Sequence, residues 1–147
     1  MEKEVVSKIP PNDIVAEQAV LGSMLADKDA TVKATAILKP DDFYRDDHKE
    51  IYSSMLELYG IGEPIDFLTL RNSLTQRGTL EKVGSDMFLS TLIDSVPTTS
   101  NIESYVKIVE EKATLRSLIK AANDILAMGY ASTEEVNKLR ERFECYV

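Results

Sequence analysis

The feature that most restricts the fold is a run of 28 residues, 101–128, that contains neither glycine nor proline. These two residues are the ones that most often interrupt helices. The run therefore permits a single helix of about 40 Å, at a rise of 1.5 Å per residue. Ser100 and Glu103 have the spacing of a capping box at its start, and Gly129 is predicted to end it.

Earlier segments also show apolar residues at helical spacing behind polar caps. Glycine and proline are few, at six and five, which favours long elements over many short strands. Asn12 or Asp13 is predicted to cap the first of these helices and Asp66 the fourth, while Asp47 and Glu50 are predicted to form a capping box for the third. The predicted helices cover about 13–26, 29–38, 47–60, 66–78 and 85–97, with a single turn at 41–45.

These elements predict an all-α fold made of a compact multi-helix head followed by a long antiparallel helical hairpin. Residues 1–12 are predicted to form a flexible tail, 13–97 the head and 100–147 the hairpin, with head and hairpin together making one domain. Ser132 to Glu135 resemble another capping box, which would open the last helix. The predicted stripe on that helix is formed by Val136, Leu139, Phe143 and Tyr146.

Charge and cysteine content argue against a nucleic-acid-binding protein and against a disulfide-bonded secreted protein. The formal net charge is −8, and an acidic chain repels phosphate, so tight nucleic-acid binding by this chain alone is not expected. Cys145 is the single cysteine, which excludes an internal disulfide and favours a reducing cytoplasm. Neither a signal peptide nor an apolar run of about 18 residues is present, so we expect a cytoplasmic protein without a membrane span.

The sequence offers few groups for catalysis or cofactor binding. Four aspartates and His48 cluster at residues 41–48, but each aspartate precedes a predicted helix, where it would favour the helix dipole rather than hold a metal. His48 has no second histidine or cysteine near it and is expected at the surface or its boundary. Cys145 lacks an activating partner. No GxxxxGK[ST] phosphate loop occurs, so we predict no catalytic, metal-binding or cofactor-binding residue in this chain.

The long run carries a basic stripe, with Lys112, Arg116 and Lys120 at intervals of four. The stripe could face single-stranded DNA, or its members could pair with nearby acids such as Glu111 and Asp124. Pairing is the preferred interpretation, because no aromatic residues alternate with the stripe to stack on bases.

Apolar residues of the run exceed what one short partner helix can cover, which indicates self-association by packing of helix pairs. The residues predicted to form this self-association surface are Leu118, Ala122, Ile125, Leu126, Val136, Leu139 and Phe143.

Four segments together resemble the N-terminal domain of DnaB-type replicative DNA helicases: IPPNDIVAEQAVLGSML (9–25), KPDDFYRDDHKEIYSSML (39–56), GEPIDFLTL (62–70) and VPTTSNIESYVKIVEEKATLRSLI (96–119). The segments follow the family's order and spacing, and the similarity covers about residues 9–136. The final KLRERFECYV departs from the acidic, alanine-containing pattern usual at that point, so the register of the last helix is open.

The resemblance implies a part of a hexameric, ring-shaped helicase that moves along single-stranded DNA. ATP and Mg²⁺ would bind a separate RecA-like motor domain that this chain lacks. Hairpins would pair in twos, and three such dimers would form a collar that binds the C-terminal domain of primase; a helicase loader is a further possible partner. The primase contacts implied are Ile119, Ile125 and Phe88, with Val15 a weaker candidate because many relatives carry an acid there.

Other functions fit parts of the sequence. A free-standing regulator that mimics this domain would cap or inhibit helicase hexamers, and the presence of a phosphate loop downstream in the gene would argue against it. A direct DNA-binding module is disfavoured by the charge. The helicase-binding domain of primase is similar in fold, but the PPNDIVAEQAVLG opening favours the helicase.

Overall fold

The computed structural model describes residues 9–131 and 136–146, and every regular element within these ranges is helical. This confirms the predicted all-α class. The helices are α1 (Ile14–Ala26), α2 (Lys28–Thr35), α3 (Asp46–Gly60), α4 (Phe67–Gln76), α5 (Ser85–Asp94), α6 (Ile102–Ala131) and α7 (Val136–Tyr146), with short 3₁₀ turns at Pro40–Asp42 and Thr99–Asn101.

The chain divides into two compact units. One comprises residues 12–113, and the other groups the described parts of 1–11 and 114–147. The first unit extends past residue 97, the predicted end of the head, and includes the first twelve residues of α6. It contains 18 of the 25 acidic and 10 of the 17 basic residues, so the whole net charge of −8 lies there.

Helix α1 is the central element of the 12–113 unit. Every residue from Ala19 to Leu25 is buried, which is the pattern of a helix surrounded by others rather than one with a single apolar stripe. Helices α2, α3 and α5 pack against it, α4 packs on α3 and α5, and the start of α6 contributes to the same apolar core. The largest fully buried apolar side chains of this core are Leu21, Met24, Phe43, Ile51, Tyr52, Met55, Leu70, Leu74, Leu89, Leu92 and Ile102.

Two predicted caps are present. The carboxylate of Asp13 accepts a hydrogen bond from the amide of Ala16 at 2.9 Å and opens α1. Asp66 and Thr69 form a reciprocal box at the start of α4, with distances of 2.9 and 3.0 Å. Helix α2 differs from its predicted range of about 29–38, since Asp27 caps it, it begins at Lys28 and it ends at Thr35.

The capping box predicted at Asp47 and Glu50 is wrong. Helix α3 begins one residue earlier, at Asp46, and its cap residue Arg45 makes no side-chain capping bond. The carboxylate of Asp47 instead pairs with the guanidinium of Arg45 and accepts the amide of His48. The Asp47 carboxylate is therefore bonded to neighbouring groups and does not cap the helix.

The predicted ends of the long helix also need correction. Thr98, not Ser100, provides the cap, by accepting the amide of Ser100 at 3.2 Å and opening the 3₁₀ turn before α6. Gly129 does not end the helix, which continues to Ala131. A helical glycine costs only about 1 kcal/mol, which one position near a helix end can absorb. The box predicted at 132–135 lies outside the described residues.

Helices α1 and α5 approach each other closely at Gly22. A β-carbon built on Gly22 would lie 2.1 Å from the carbonyl oxygen of Leu92 and 2.4 Å from Cγ2 of Val96. Glycine is therefore required for this packing distance, which fixes α5 and its side chains against α1. In the described part of the chain, no helix has both the length and the apolar character needed to span a membrane.

Candidate partner-binding surfaces

The second half of α6 presents a row of uncovered apolar side chains. The buried residues of α6 are Ile102, Val106, Val109 and Ala113, all in its first twelve positions. Beyond them Leu118 is 66% exposed and Leu126 57% exposed, and Ala122 is also exposed. The α6 apolar row is defined here as Leu115, Leu118, Ile119, Ala122, Ile125 and Leu126, of which Ile125 alone is half-buried.

Helix α7 adds further apolar surface. Val136 and Phe143 are exposed and Leu139 is half-buried. Residues 132–135, which link α6 to α7 in the sequence, lie outside the described ranges, so the antiparallel hairpin and its register stay predictions. Uncovered apolar groups that recur along a helix are typical of a surface that another chain covers.

The basic stripe of α6 is largely engaged within the chain. Nη1 of Arg116 donates to the carbonyl oxygen of Pro11 at 2.8 Å, and Nζ of Lys120 pairs with Oδ2 of Asp124 at 3.1 Å. These contacts support the pairing interpretation over a surface kept free for phosphates.

The four primase-contact candidates are distributed over both compact units. Val15 on α1 and Phe88 on α5 belong to the 12–113 unit, and Ile119 and Ile125 belong to the other. Val15 is 75% exposed and Ile119 is 45% exposed, while Phe88 and Ile125 are half-buried. None of the four is a fully buried core residue, so each offers surface to a partner.

The expectation that His48 lies at the surface is wrong. His48 is fully buried, and its Nδ1 lies 2.7 Å from Oε1 of Glu17, a carboxylate that is itself only 1% exposed. The other carboxylate oxygen, Oε2, accepts the amide of Tyr44 at 2.7 Å. The pair therefore joins α1 to the start of α3 and to the segment before it. Nε2 of His48 is buried without a hydrogen-bond partner.

Sequence reasoning missed this pair because its members stand 31 residues apart. One signal was available, since Glu17 is the only charged residue of α1, whose other residues are apolar except Gln18 and Ser23. A carboxylate in such a position is almost always paired when it is buried. His48, the sole histidine of the chain, is a candidate to pair with this buried carboxylate.

The ring of Phe88 lies against this buried pair. Its centroid is 6.0 Å from that of the His48 ring, with 12° between the planes. The guanidinium carbon of Arg45 lies 6.0 Å from the same Phe88 centroid, at the outer limit of a cation–π contact. Phe88 thus has a buried imidazole and an exposed guanidinium as neighbours.

A second polar cluster links α3 to the end of α4. Nε of Arg77 donates to Oε2 of Glu50 at 2.6 Å, and Nη1 lies 3.0 Å from Oε1 of Glu57. The hydroxyl of Thr79 donates to Glu50 at 3.0 Å. The hydrogen bond from Arg77, aided by that from Thr79, lowers the pKa of Glu50 below its usual value. This cluster has a structural role.

The acidic cluster at 41–48 is likewise used within the fold. Asp42 accepts both the amide and the ammonium group of Lys39, at 2.9 and 3.0 Å. Across residues 9–131 and 136–146, no three potential metal-ligating side chains converge. The described part of the chain is thus a helical domain that exposes a row of apolar side chains and brings no set of metal ligands together.

Comparison with known proteins identifies the family. The family model described as "DnaB-like helicase N terminal domain" matches residues 9–111, about two thirds of the chain. The chain belongs to this family.

Individual relatives agree with the family assignment. The chain is 45% identical over 137 residues to the replicative DNA helicase DnaC of Bacillus subtilis, covering 93% of this chain and 30% of that protein. It is 46% identical over 132 residues to the replicative DNA helicase DnaB of Geobacillus stearothermophilus, covering 90% and 29%. The chain thus spans less than a third of the length of these helicases.

Two solved structures share the fold. The crystal structure of the N-terminal domain of DnaB helicase from Mycobacterium tuberculosis matches with a TM-score of 0.89 and 43% identity, over 94% of this chain and 98% of that one. A DnaB-like replicative helicase, described together with its interactions with primase, matches with a TM-score of 0.75 and 25% identity, over 92% and 32%.

Proposed function

We propose that this chain acts as the collar domain of a replicative DNA helicase, which self-associates and recruits primase during DNA replication. Dimers would form first, and three dimers would make the collar of the hexamer. ATP and Mg²⁺ would bind only the motor region of the whole helicase, and single-stranded DNA would be held only by the complete ring. A helicase loader is a further possible partner.

The observation that carries self-association is the α6 apolar row. Covering a half-exposed leucine or isoleucine is worth about 1 kcal/mol, roughly half the value for a fully exposed side chain. In a two-fold interface each residue contributes twice. The four exposed large residues of the row, Leu115, Leu118, Ile119 and Leu126, would supply about 8 kcal/mol, and Val136 and Phe143 of α7 about 4 kcal/mol more. After the lower estimate of about 4 kcal/mol for lost rotational and translational freedom is subtracted, about 8 kcal/mol remains, which corresponds to a dissociation constant of about 1 μM. The exposed apolar side chains of α6 and α7 therefore support a dimer of the isolated chain.

The charge distribution favours the same surface. Two copies of the 12–113 unit, each with a net charge of −8, repel each other at low salt. The remainder of the chain has no net charge and contains the second half of α6.

Sedimentation velocity over a concentration series tests this proposal. Leu126→Glu places a charge on the α6 apolar row and should shift the dimer to monomer without lowering the melting temperature. Leu68→Glu is the matched control, because Leu68 is 70% exposed on α4, outside the row. Equal dimerisation by both folded variants would show that the row is not the interface.

Primase recruitment is tested by Ile119→Asn. Because Ile119 is 45% exposed, a polar replacement should leave the melting temperature within about 2 °C, since surface changes usually stay within about 0.5 kcal/mol. Affinity for the primase C-terminal domain, measured by calorimetry, should fall at least tenfold. A parallel loss of stability and binding would assign Ile119 to the core of the fold instead.

A further inference from the structure

The environment of Phe88 contains two local departures from favourable structure. Ser85 has φ +60°, and it is the only non-glycine residue with positive φ in the described part of the chain. It follows Gly84, which has φ +98° and opens α5. Nε2 of His48 is the second departure, a buried nitrogen without a hydrogen-bond partner.

Both departures help determine where the Phe88 ring lies. The strained Gly84–Ser85 entry sets the direction of α5 one turn before Phe88. Gly84 packs so closely that a β-carbon there would lie 2.7 Å from Cβ of Phe88. His48 stacks on the ring from within the core, and its own ring is held through Nδ1 by Glu17.

We propose that His48 and Arg45 are positioning residues for partner recognition, which hold the half-buried Phe88 ring in one orientation before the partner binds. This inference rests on the proposed function, because it assumes that Phe88 contacts primase through an apolar side chain. Glu17 acts one step further away, by fixing the imidazole.

The physical reason is preorganisation. A side chain that is already confined loses less freedom on binding, which for one flexible side chain amounts to roughly a three- to tenfold gain in affinity. The hydrogen bond between Nδ1 of His48 and Glu17 contributes to stability and also fixes the plane of the imidazole. The face of that ring is then available to stack on Phe88.

A double-mutant cycle separates positioning from direct contact. Arg45→Ala is the variant that should least disturb folding, because Arg45 is exposed and makes no capping bond. It should weaken binding of the primase C-terminal domain about threefold. In a Phe88→Leu background, which keeps an apolar contact, the same change should have no further effect. Arg71→Ala is the matched control, since Arg71 is likewise an exposed arginine paired with a carboxylate, that of Asp86 at 2.7 Å.

His48→Gln should also weaken primase binding about threefold in the parent protein and have no further effect in the Phe88→Leu background. Affinities should be compared well below the melting temperature of the His48→Gln variant. A fluorine label on the Phe88 ring should show a shift towards the solvent-exposed value in both single variants. Unchanged binding by Arg45→Ala, or an equal loss in both backgrounds, would overturn the positioning role. If Phe88→Leu itself binds normally, the primase contact assigned to Phe88 fails first, and the positioning inference fails with it.

Discussion

Replacing Gly22 by alanine tests whether the close approach of α1 and α5 sets the packing of the core. The added methyl group would lie 2.1 Å from a backbone carbonyl oxygen, that of Leu92. An ordinary contact is about 3.4 Å or longer, so α5 would have to move by about 1 Å. A backbone atom cannot rotate away as a flexible side chain does.

The expected magnitude combines two opposing effects. Overpacking of this kind costs about 1–3 kcal/mol. Alanine recovers about 0.5–1 kcal/mol, because it fits a helix better than glycine. Since the clash involves a rigid backbone atom, we expect a net loss of about 2 kcal/mol, which lowers the melting temperature by about 4–8 °C for a chain of this size.

Thermal and urea unfolding, followed by circular dichroism, measure this loss. Gly129→Ala is the control, because nothing lies within 4 Å of a β-carbon built there and the residue is helical. It should leave the melting temperature unchanged or raise it. If Gly22→Ala were as stable as Gly129→Ala, the close approach at Gly22 would not constrain the fold.

Two other changes address the polar clusters. Glu50→Gln should lower the free energy of unfolding by about 1 kcal/mol at pH 7. The lowered pKa of Glu50 stabilises the fold above the usual value of 4.5, and this contribution is lost as the pH falls through the lowered pKa, so the difference in urea unfolding between the parent and Glu50→Gln should shrink steadily as the pH is reduced below 4.5. His48→Leu should cost about 3–5 kcal/mol, because it leaves the Glu17 carboxylate buried and unpaired; a melting temperature within 2 °C of the parent would contradict this.

The helices were predictable because their signals are local. Asp13 and Asp66 stand directly before apolar residues at helical spacing, and both are caps in the structure. Where a cap was assigned wrongly, a nearby side chain competed for the same carboxylate, as Arg45 does for Asp47. The sequence also indicates that α6 carries more apolar residues than the single short helix after it can cover.

The Glu17–His48 pair was beyond local reasoning. Its formation depends on how α1 crosses the start of α3, which no spacing within either segment encodes. The same holds for the stack of Phe88 on His48, since the two residues are 40 positions apart. Periodicity indicates which face of a helix is apolar, but it does not indicate which buried side chain will meet another.

Burial along α6 stops at Ala113, although the helix continues to Ala131. Substitutions beyond that point leave the folding core untouched, so this stretch can diverge rapidly while the architecture persists. If the α6 apolar row is the proposed self-association surface, two chains with the same core would then differ in which copies they pair with. On that proposal, we expect exchange of residues 114–131 between two such relatives to exchange their pairing preference.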